Sequence, residues 1–277
     1  MKRFLILLLA FAAAGFAHAG VNIQTWTAPS GARVYFVESH DLPIVDLSID
    51  FAAGSAYDPA DKAGLAGFTR GLFDAGAGSL DEDAIAEKQV DTGAQLGGHT
   101  DLDRSGVSLR TLSSAKERDA SLDLLRLLLA QPTFPQAVFE REKGRTIAAI
   151  KESETQPASI AAKKFSKGLY PSHPYGMTAT VESVGRITRE DVASFHRSFF
   201  TASRAVVSIV GDLSRADAER IAQQLTEALP KSDNAAKIAA PEAPKAEVIR
   251  VSHPSQQSHI QIGLPVLKRG DADFYPL

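Results

Sequence analysis

Apolar and polar residues alternate over three early stretches, Val21 to Thr27, Arg33 to Glu38 and Ile44 to Phe51, with Pro29-Ser30-Gly31 as a turn between the first two. A period of two sends one face of each segment into a core and the other to water, so these segments predict strands, read together as an antiparallel meander. Gln95 to Thr100 and Ser105 to Leu112 predict two more strands around the polar turn Asp101 to Arg104, and the apolar run Ala205 to Val210 predicts a buried one. Helical spacing marks Lys62 to Asp74, interrupted by three glycines, and Leu80 to Thr92, with Ser79 as N-cap and Gly93 beyond its end. Further helices are predicted at Lys116 to Ala130, Pro135 to Glu154, Pro157 to Leu169, Thr188 to Phe199 and Ser214 to Leu229. Pro135 falls in a first turn, where proline is tolerated. Thr188 with Asp191 three residues on forms a start signal.

The apolar period disappears from Pro230 to Pro244, where Lys, Ser, Asp, Asn, Ala and prolines predict a linker. Strand patterns resume at Val248 to Val251 and His259 to Gly263, and Asp271 reads as a helix start. The fold class is therefore α+β: a mixed, largely antiparallel sheet with helices on one face, then the start of a second similar unit. The domain reading is 1–19 a signal peptide, 20–235 the first unit, and 236–277 the linker and opening of the second.

The signal reading rests on Lys2 and Arg3, the apolar stretch Phe4 to Phe16, and Ala17-His18-Ala19 before Gly20. That stretch is shorter than the roughly 20 apolar residues of a membrane span, so no span is expected after cleavage. Export to the periplasm is the implied destination. Without Lys2 and Arg3 the 30 basic residues become 28 against 33 acidic ones, a net charge of −5 with no polybasic segment. This balance argues against nucleic-acid and anionic-membrane partners. The 277 residues contain no cysteine, which removes thiolate catalysis, Cys-type zinc sites and disulfides; a 44% hydrophobic chain of this size can supply its stability from a core.

Other local patterns read as structure. Val90-Asp91-Thr92-Gly93 looks like an aspartic-peptidase tripeptide but ends a helix, with Gly93 serving the C-terminal turn. Gly76-Ala77-Gly78 lacks the third glycine and the Lys-Ser/Thr of a phosphate loop and reads as a flexible loop. Asp81-Glu82-Asp83 and Glu140-Arg141-Glu142-Lys143 read as solvated helix faces, the former suited to a helix N-terminus. His40, His99, His173, His196, His253 and His259 have no i, i+4 histidine partner and read as surface or loop residues; His253 and His259 would lie roughly 20 Å apart in an extended chain. No Gly-x-Ser-x-Gly elbow is present.

The run Gly64-Leu-Ala-Gly-Phe-Thr-Arg-Gly-Leu-Phe73 resembles the active-site helix of the pitrilysin/insulinase (M16) zinc peptidases, in which a Gly-Leu-Ala lead-in precedes His-x-x-Glu-His. In that motif two histidines one turn apart bind zinc and the glutamate activates the zinc-bound water. Here the corresponding positions hold Gly67, Arg70 and Gly71. The family's third ligand, a glutamate on a later long helix, falls on Ala148. Gly97-Gly98-His99-Thr100, Ser172-His-Pro-Tyr-Gly176 and Val210-Gly211-Asp212 extend the likeness over residues 21 to 277. Glycine offers no ligand atom, and Arg70 places a permanent positive charge where a cation would sit. Each helical glycine costs about 1 kcal/mol against alanine, and the reading here is that the pair permits close packing or a bend.

The resemblance implies an M16-peptidase-like half without a metal or other cofactor and without catalytic residues, Gly67, Arg70, Gly71 and Ala148 standing in for the motif. It implies a partner, a catalytic M16 zinc peptidase chain, because some family members divide the work between a zinc-bearing chain and one that has lost the motif. Peptide substrate would be held along Gln95, Leu96, Gly97, Gly98, His99 and Thr100, by likeness to the family's substrate-binding strand. The other classes left open are a structural assembly protein and a stand-alone peptide-binding protein.

Overall fold

The computed structural model describes residues 21–231 and 236–276, so the expected signal peptide lies outside the described residues. Five strands form where alternation places them: β1 (Gln24–Thr27), β2 (Arg33–Glu38), β3 (Ile44–Phe51), β6 (Gln95–Thr100) and β7 (Ser105–Leu112). The continuous apolar run forms β8 (Ala205–Gly211). Together they make one six-stranded sheet in the order β1-β2-β8-β3-β7-β6. This corrects the meander: β8 lies between β2 and β3, parallel to β2 and antiparallel to β3. Pairing across more than 150 residues leaves no trace in local alternation, although the Val-rich, uninterrupted β8 is the pattern of a strand with neighbours on both sides.

Val45, Leu47, Ile49 and Phe51 of β3 all point into the core beside Val207 and Ile209 of β8 and Val107 and Leu109 of β7. Helices cover this face. α1 (Leu65–Gly71) packs on α7 (Arg189–Phe199), while α3 (Ala115–Ala130) packs on β7 and on α8 (Arg215–Glu227). α2 (Glu82–Thr92) packs on α3, and α4 (Gln136–Ser153) packs on the short α6 (Val181–Arg186), while α5 (Pro157–Leu169) packs on the Pro174–Gly176 turn. α6 escaped the sequence reading because it is a single capped turn and a half, Thr180 and Ser183 forming its capping box. The opposite sheet face carries Asp46, Ser48, Ser108, Arg110 and Ser208 around an open concavity of about 510 Å³.

Several local expectations shift. α2 starts at Glu82 and is capped by Asp81, which accepts from the Ala84 amide, because Leu80–Asp81 (β5) pairs with Gly76–Ala77 (β4) before the helix begins. Gly76-Ala77-Gly78 is thus a packed hairpin rather than a flexible loop, with Gly78 at φ +57 against Leu127. Pro135 is the residue before α4 and not its first turn. Glu140 to Lys143 is more than a solvated face: Lys143 donates to the carbonyls of Gly185 and Ile187 at 2.8 Å each and so closes the end of α6. His196 is a core residue, its Nε2–H donating to the Leu129 carbonyl at 2.8 Å, and burial lowers its pKa to about 4.

Residues 236–276 contain neither helix nor strand. The strands expected at Val248 to Val251 and His259 to Gly263 do not form, and Asp271 opens a series of turns only. A strand needs a ladder partner for its backbone groups, and among the described residues none pairs with these. The segment instead runs along α5, with Glu247 and Ile249 beside Gly168 and Gly263 against Phe165.

The start of α1 is fixed from outside the helix. Gly64 precedes it at φ +104 and supplies no cap side chain, so the orphan amides turn to the Asp58 carboxylate: Gly64 N–H at 2.7 Å and Ala66 N–H at 2.8 Å. Asp58 is 7% exposed, and burial outweighs these bonds and raises its pKa to about 6. A carboxyl whose pKa rises on folding stabilises the fold fully below its unfolded value of 3.8 and loses that contribution as pH rises through about 6. Asp58→Ala leaves the α1 amides unpaired and should cost about 1–3 kcal/mol in urea unfolding at neutral pH. Asp58→Asn should remove the decline in stability between the values 3.8 and about 6, seen as a flatter midpoint-against-pH curve than the parent's.

Candidate functional site

α1 presents Gly67 and Gly71 on its exposed side, one turn apart. A Cβ added at either position would meet nothing within 4 Å. The glycines therefore do not serve close packing, one of the two roles the sequence suggested; the surface simply lacks side chains there. Ala148 on α4 is also exposed. The two helices meet through Phe68 and Phe139, whose rings are 5.4 Å apart and edge-to-face.

Arg70 turns the other way, toward the sheet. Its Nε–H donates to the Gly106 carbonyl at 2.8 Å and its Nη2 to the Gly97 carbonyl at 2.6 Å, tying α1 to both β6 and β7. The guanidinium lies over Gly98, where any Cβ would collide with it. Burial pushes the pKa of Arg70 down, partly opposed by Asp74. This role was missed in the sequence; the signal available was the Gly97-Gly98 pair, since glycine inside a strand marks close approach of another group.

Beside Gly71 a cleft of about 350 Å³ opens between α1, α2 and α4, with Ile85 and Val138 in its apolar wall and Glu82, Arg141 and Arg145 at its rim. Arg141 Nη1 donates to Glu82 at 3.0 Å and its Nε to Glu142 at 2.8 Å, while Arg145 donates to Glu142 at 2.7 Å. The hydrogen bond from Arg141 holds the Glu82 carboxyl below its usual range. Glu82 and Glu142 on this cleft are thus engaged by arginines rather than free for a cation.

β6 is an edge strand, hydrogen-bonded on the β7 side alone. The hairpin closes with the Asp101 amide donating to the Arg104 carbonyl at 2.8 Å. Antiparallel pairs alternate between bonded and non-bonded, so Gly97 with Ser108 and His99 with Gly106 are bonded pairs. The backbone groups of Leu96, Gly98 and Thr100 consequently face outward. Of the six residues expected to hold peptide, Gln95 to Thr100 all lie on this edge, Gly97 and His99 toward the open sheet face and Leu96 and Gly98 toward the helices. His99 Nε2 stands 3.2 Å from Asp50 Oδ1, across the side-chain-free Gly106. The hairpin tip is braced by the amides of Gly54, Ser55 and Ala56, which donate to the carbonyls of Asp103, Asp101 and Leu102. Tyr175 of the Ser172–Gly176 loop adds a hydroxyl bond to Asp103 at 2.5 Å, its pKa raised by burial and by that bond.

The model of "Insulinase (Peptidase family M16)" matches residues 33–180, and that of "Peptidase M16 inactive domain" matches residues 186–277. The chain belongs to the M16 family. A crystal structure of a peptidase M16 inactive domain from Pseudomonas fluorescens is similar at 38% identity and a TM-score of 0.78, covering 82% of this chain and 55% of that one. The non-peptidase homolog YmxG of Helicobacter pylori is 25% identical over 77% of this chain and 49% of its own length. A probable beta subunit of the mitochondrial-processing peptidase of Arabidopsis thaliana is 24% identical over 67% of this chain and 35% of its own length. The chain spans half or less of the length of these two relatives.

Within the family this chain carries no histidine or glutamate at Gly67, Arg70, Gly71 or Ala148. Its donor set does not fit zinc: Gly67, Gly71 and Ala148 bring no ligand atom, and Arg70 is committed to two carbonyls. Among the described residues no group of three His, Cys, Asp or Glu side chains converges. His40 touches Asp212 at 2.6 Å and Glu38 at 3.0 Å, but through opposite ring nitrogens. After dialysis, elemental analysis of the purified protein should find zinc far below one per chain; about one tightly held ion would contradict this, because sites with three protein ligands keep their metal.

Proposed function

We propose that the protein is a non-catalytic subunit of a periplasmic, two-chain M16-type zinc peptidase and contributes to its peptide-binding chamber. The observation that carries this reading is an exposed edge strand, Gln95–Thr100, retained beside a motif helix that has no metal ligands. An extended peptide adds to such an edge through backbone hydrogen bonds to Leu96, Gly98 and Thr100, which tolerates many sequences. Catalysis then has to come from another chain. A relative named as a beta subunit fits a family that works in assemblies of more than one chain. Export fits the signal reading of residues 1–19, and no helix among the described residues is long and apolar enough to cross a membrane. In this reading residues 236–277 lead into a second unit, and the apolar Val248, Ile260 and Ile262, exposed here, are covered by it.

The test is reconstitution with a family member that carries an intact His-x-x-Glu-His motif and comes from the same periplasm. The two chains should co-purify, and adding this protein should raise the partner's rate of peptide cleavage. A zinc-bearing partner that cleaves equally well alone and never co-purifies would reject the subunit reading. Retained peptide binding would then favour a stand-alone binding protein, and its absence a structural assembly role.

A further inference from the structure

We infer that Arg70, at the position of the family's catalytic glutamate, is a positioning residue that holds the β6 edge in shape to receive a peptide strand. The inference rests on the peptide-binding reading of that edge.

Three observations carry it. The guanidinium bonds one carbonyl on each of two adjacent strands, Gly97 on β6 and Gly106 on β7, and so bridges the last pairing of the sheet from its helix face. Both carbonyls belong to bonded pairs of the ladder, so Arg70 takes second lone pairs on groups turned inward and leaves Leu96, Gly98 and Thr100 open at the edge. The strand also needs such support. Adjacent glycines weaken a strand and remove the side chains that would resist a register slip. On the opposite face His99 Nε2 lies 3.2 Å from Asp50 Oδ1 across the same Gly106. A glutamate at position 70 could not do this, since a carboxylate has no proton to donate to a carbonyl.

Hydrogen exchange of the full chain, followed by mass spectrometry or NMR for the parent, Arg70→Ala and Arg70→Lys, tests the strand-holding role. In Arg70→Ala the bonded amides of Gly97, His99, Gly106 and Ser108 should exchange at least ~10-fold faster, with those of Leu47, Ile49, Val207 and Ile209 unchanged, the signature of local opening. Lysine keeps the charge but not the planar fork, and should not restore protection. Unchanged exchange at β6, or equal acceleration across the whole sheet, would overturn the inference. Binding of a fluorescein-labelled decapeptide of alternating apolar and polar residues should weaken at least ~10-fold in Arg70→Ala, as expected when an edge must be preorganised. Fast local exchange together with a parent protein that binds no such peptide would overturn the peptide reading while leaving the strand-holding role in place.

Discussion

The guanidinium of Arg70, laid over Gly98 and bonded to carbonyls of β6 and β7, is the interaction on which the motif helix and the sheet edge jointly depend. It works because three positions are free of side chains. Gly98 lets the guanidinium reach the strand, Gly106 lets His99 meet Asp50 on the far face, and Gly97 leaves room for the Ser108 hydroxyl. A cation buried against carbonyls is less well solvated than in water, which its lowered pKa reflects. Partial charges on two carbonyl oxygens and the face of the Phe73 ring, 5.7 Å away, offset part of that cost.

The same helix is fixed at its other end by Asp58, so α1 is held by a carboxylate at its amides and a guanidinium at its last turn. Both charges suit the helix dipole. The helix, the edge strand and the neighbouring α4 thus form one frame, on which Gly67, Gly71 and Ala148 offer no metal-binding atom. Where a zinc site gathers carboxylates and neutral imidazoles, this surface holds Arg141 and Arg145 clamped to Glu82 and Glu142, a network closed on itself and indifferent to a divalent ion.

Much of the architecture was legible in the sequence because it is encoded locally. Alternation located β2, β3, β6 and β7 to the residue, and the Thr188–Asp191 box located α7. The six edge residues were found through likeness to a family, and the structure puts them at the rim of the sheet. What was illegible depends on distance along the chain. The insertion of β8 beside β2 joins residues far apart, and the partners of Asp58 and Arg70 become visible only once the loop and the strands have folded onto α1. Gly67 and Gly71 invited a packing explanation that the open space around them removes. Val248 to Val251 and His259 to Gly263 have strand composition but pair with no strand among the described residues.

A double-mutant cycle between positions 70 and 98 measures the central interaction most directly. Gly98 has an ordinary extended backbone, so alanine there is unstrained unless Arg70 occupies the space. Gly98→Ala should destabilise the parent by about 1–3 kcal/mol through overpacking and be neutral or mildly stabilising when Arg70 is already alanine. An equal cost of Gly98→Ala in both backgrounds would show that the guanidinium does not lie across the strand, and would contradict the account.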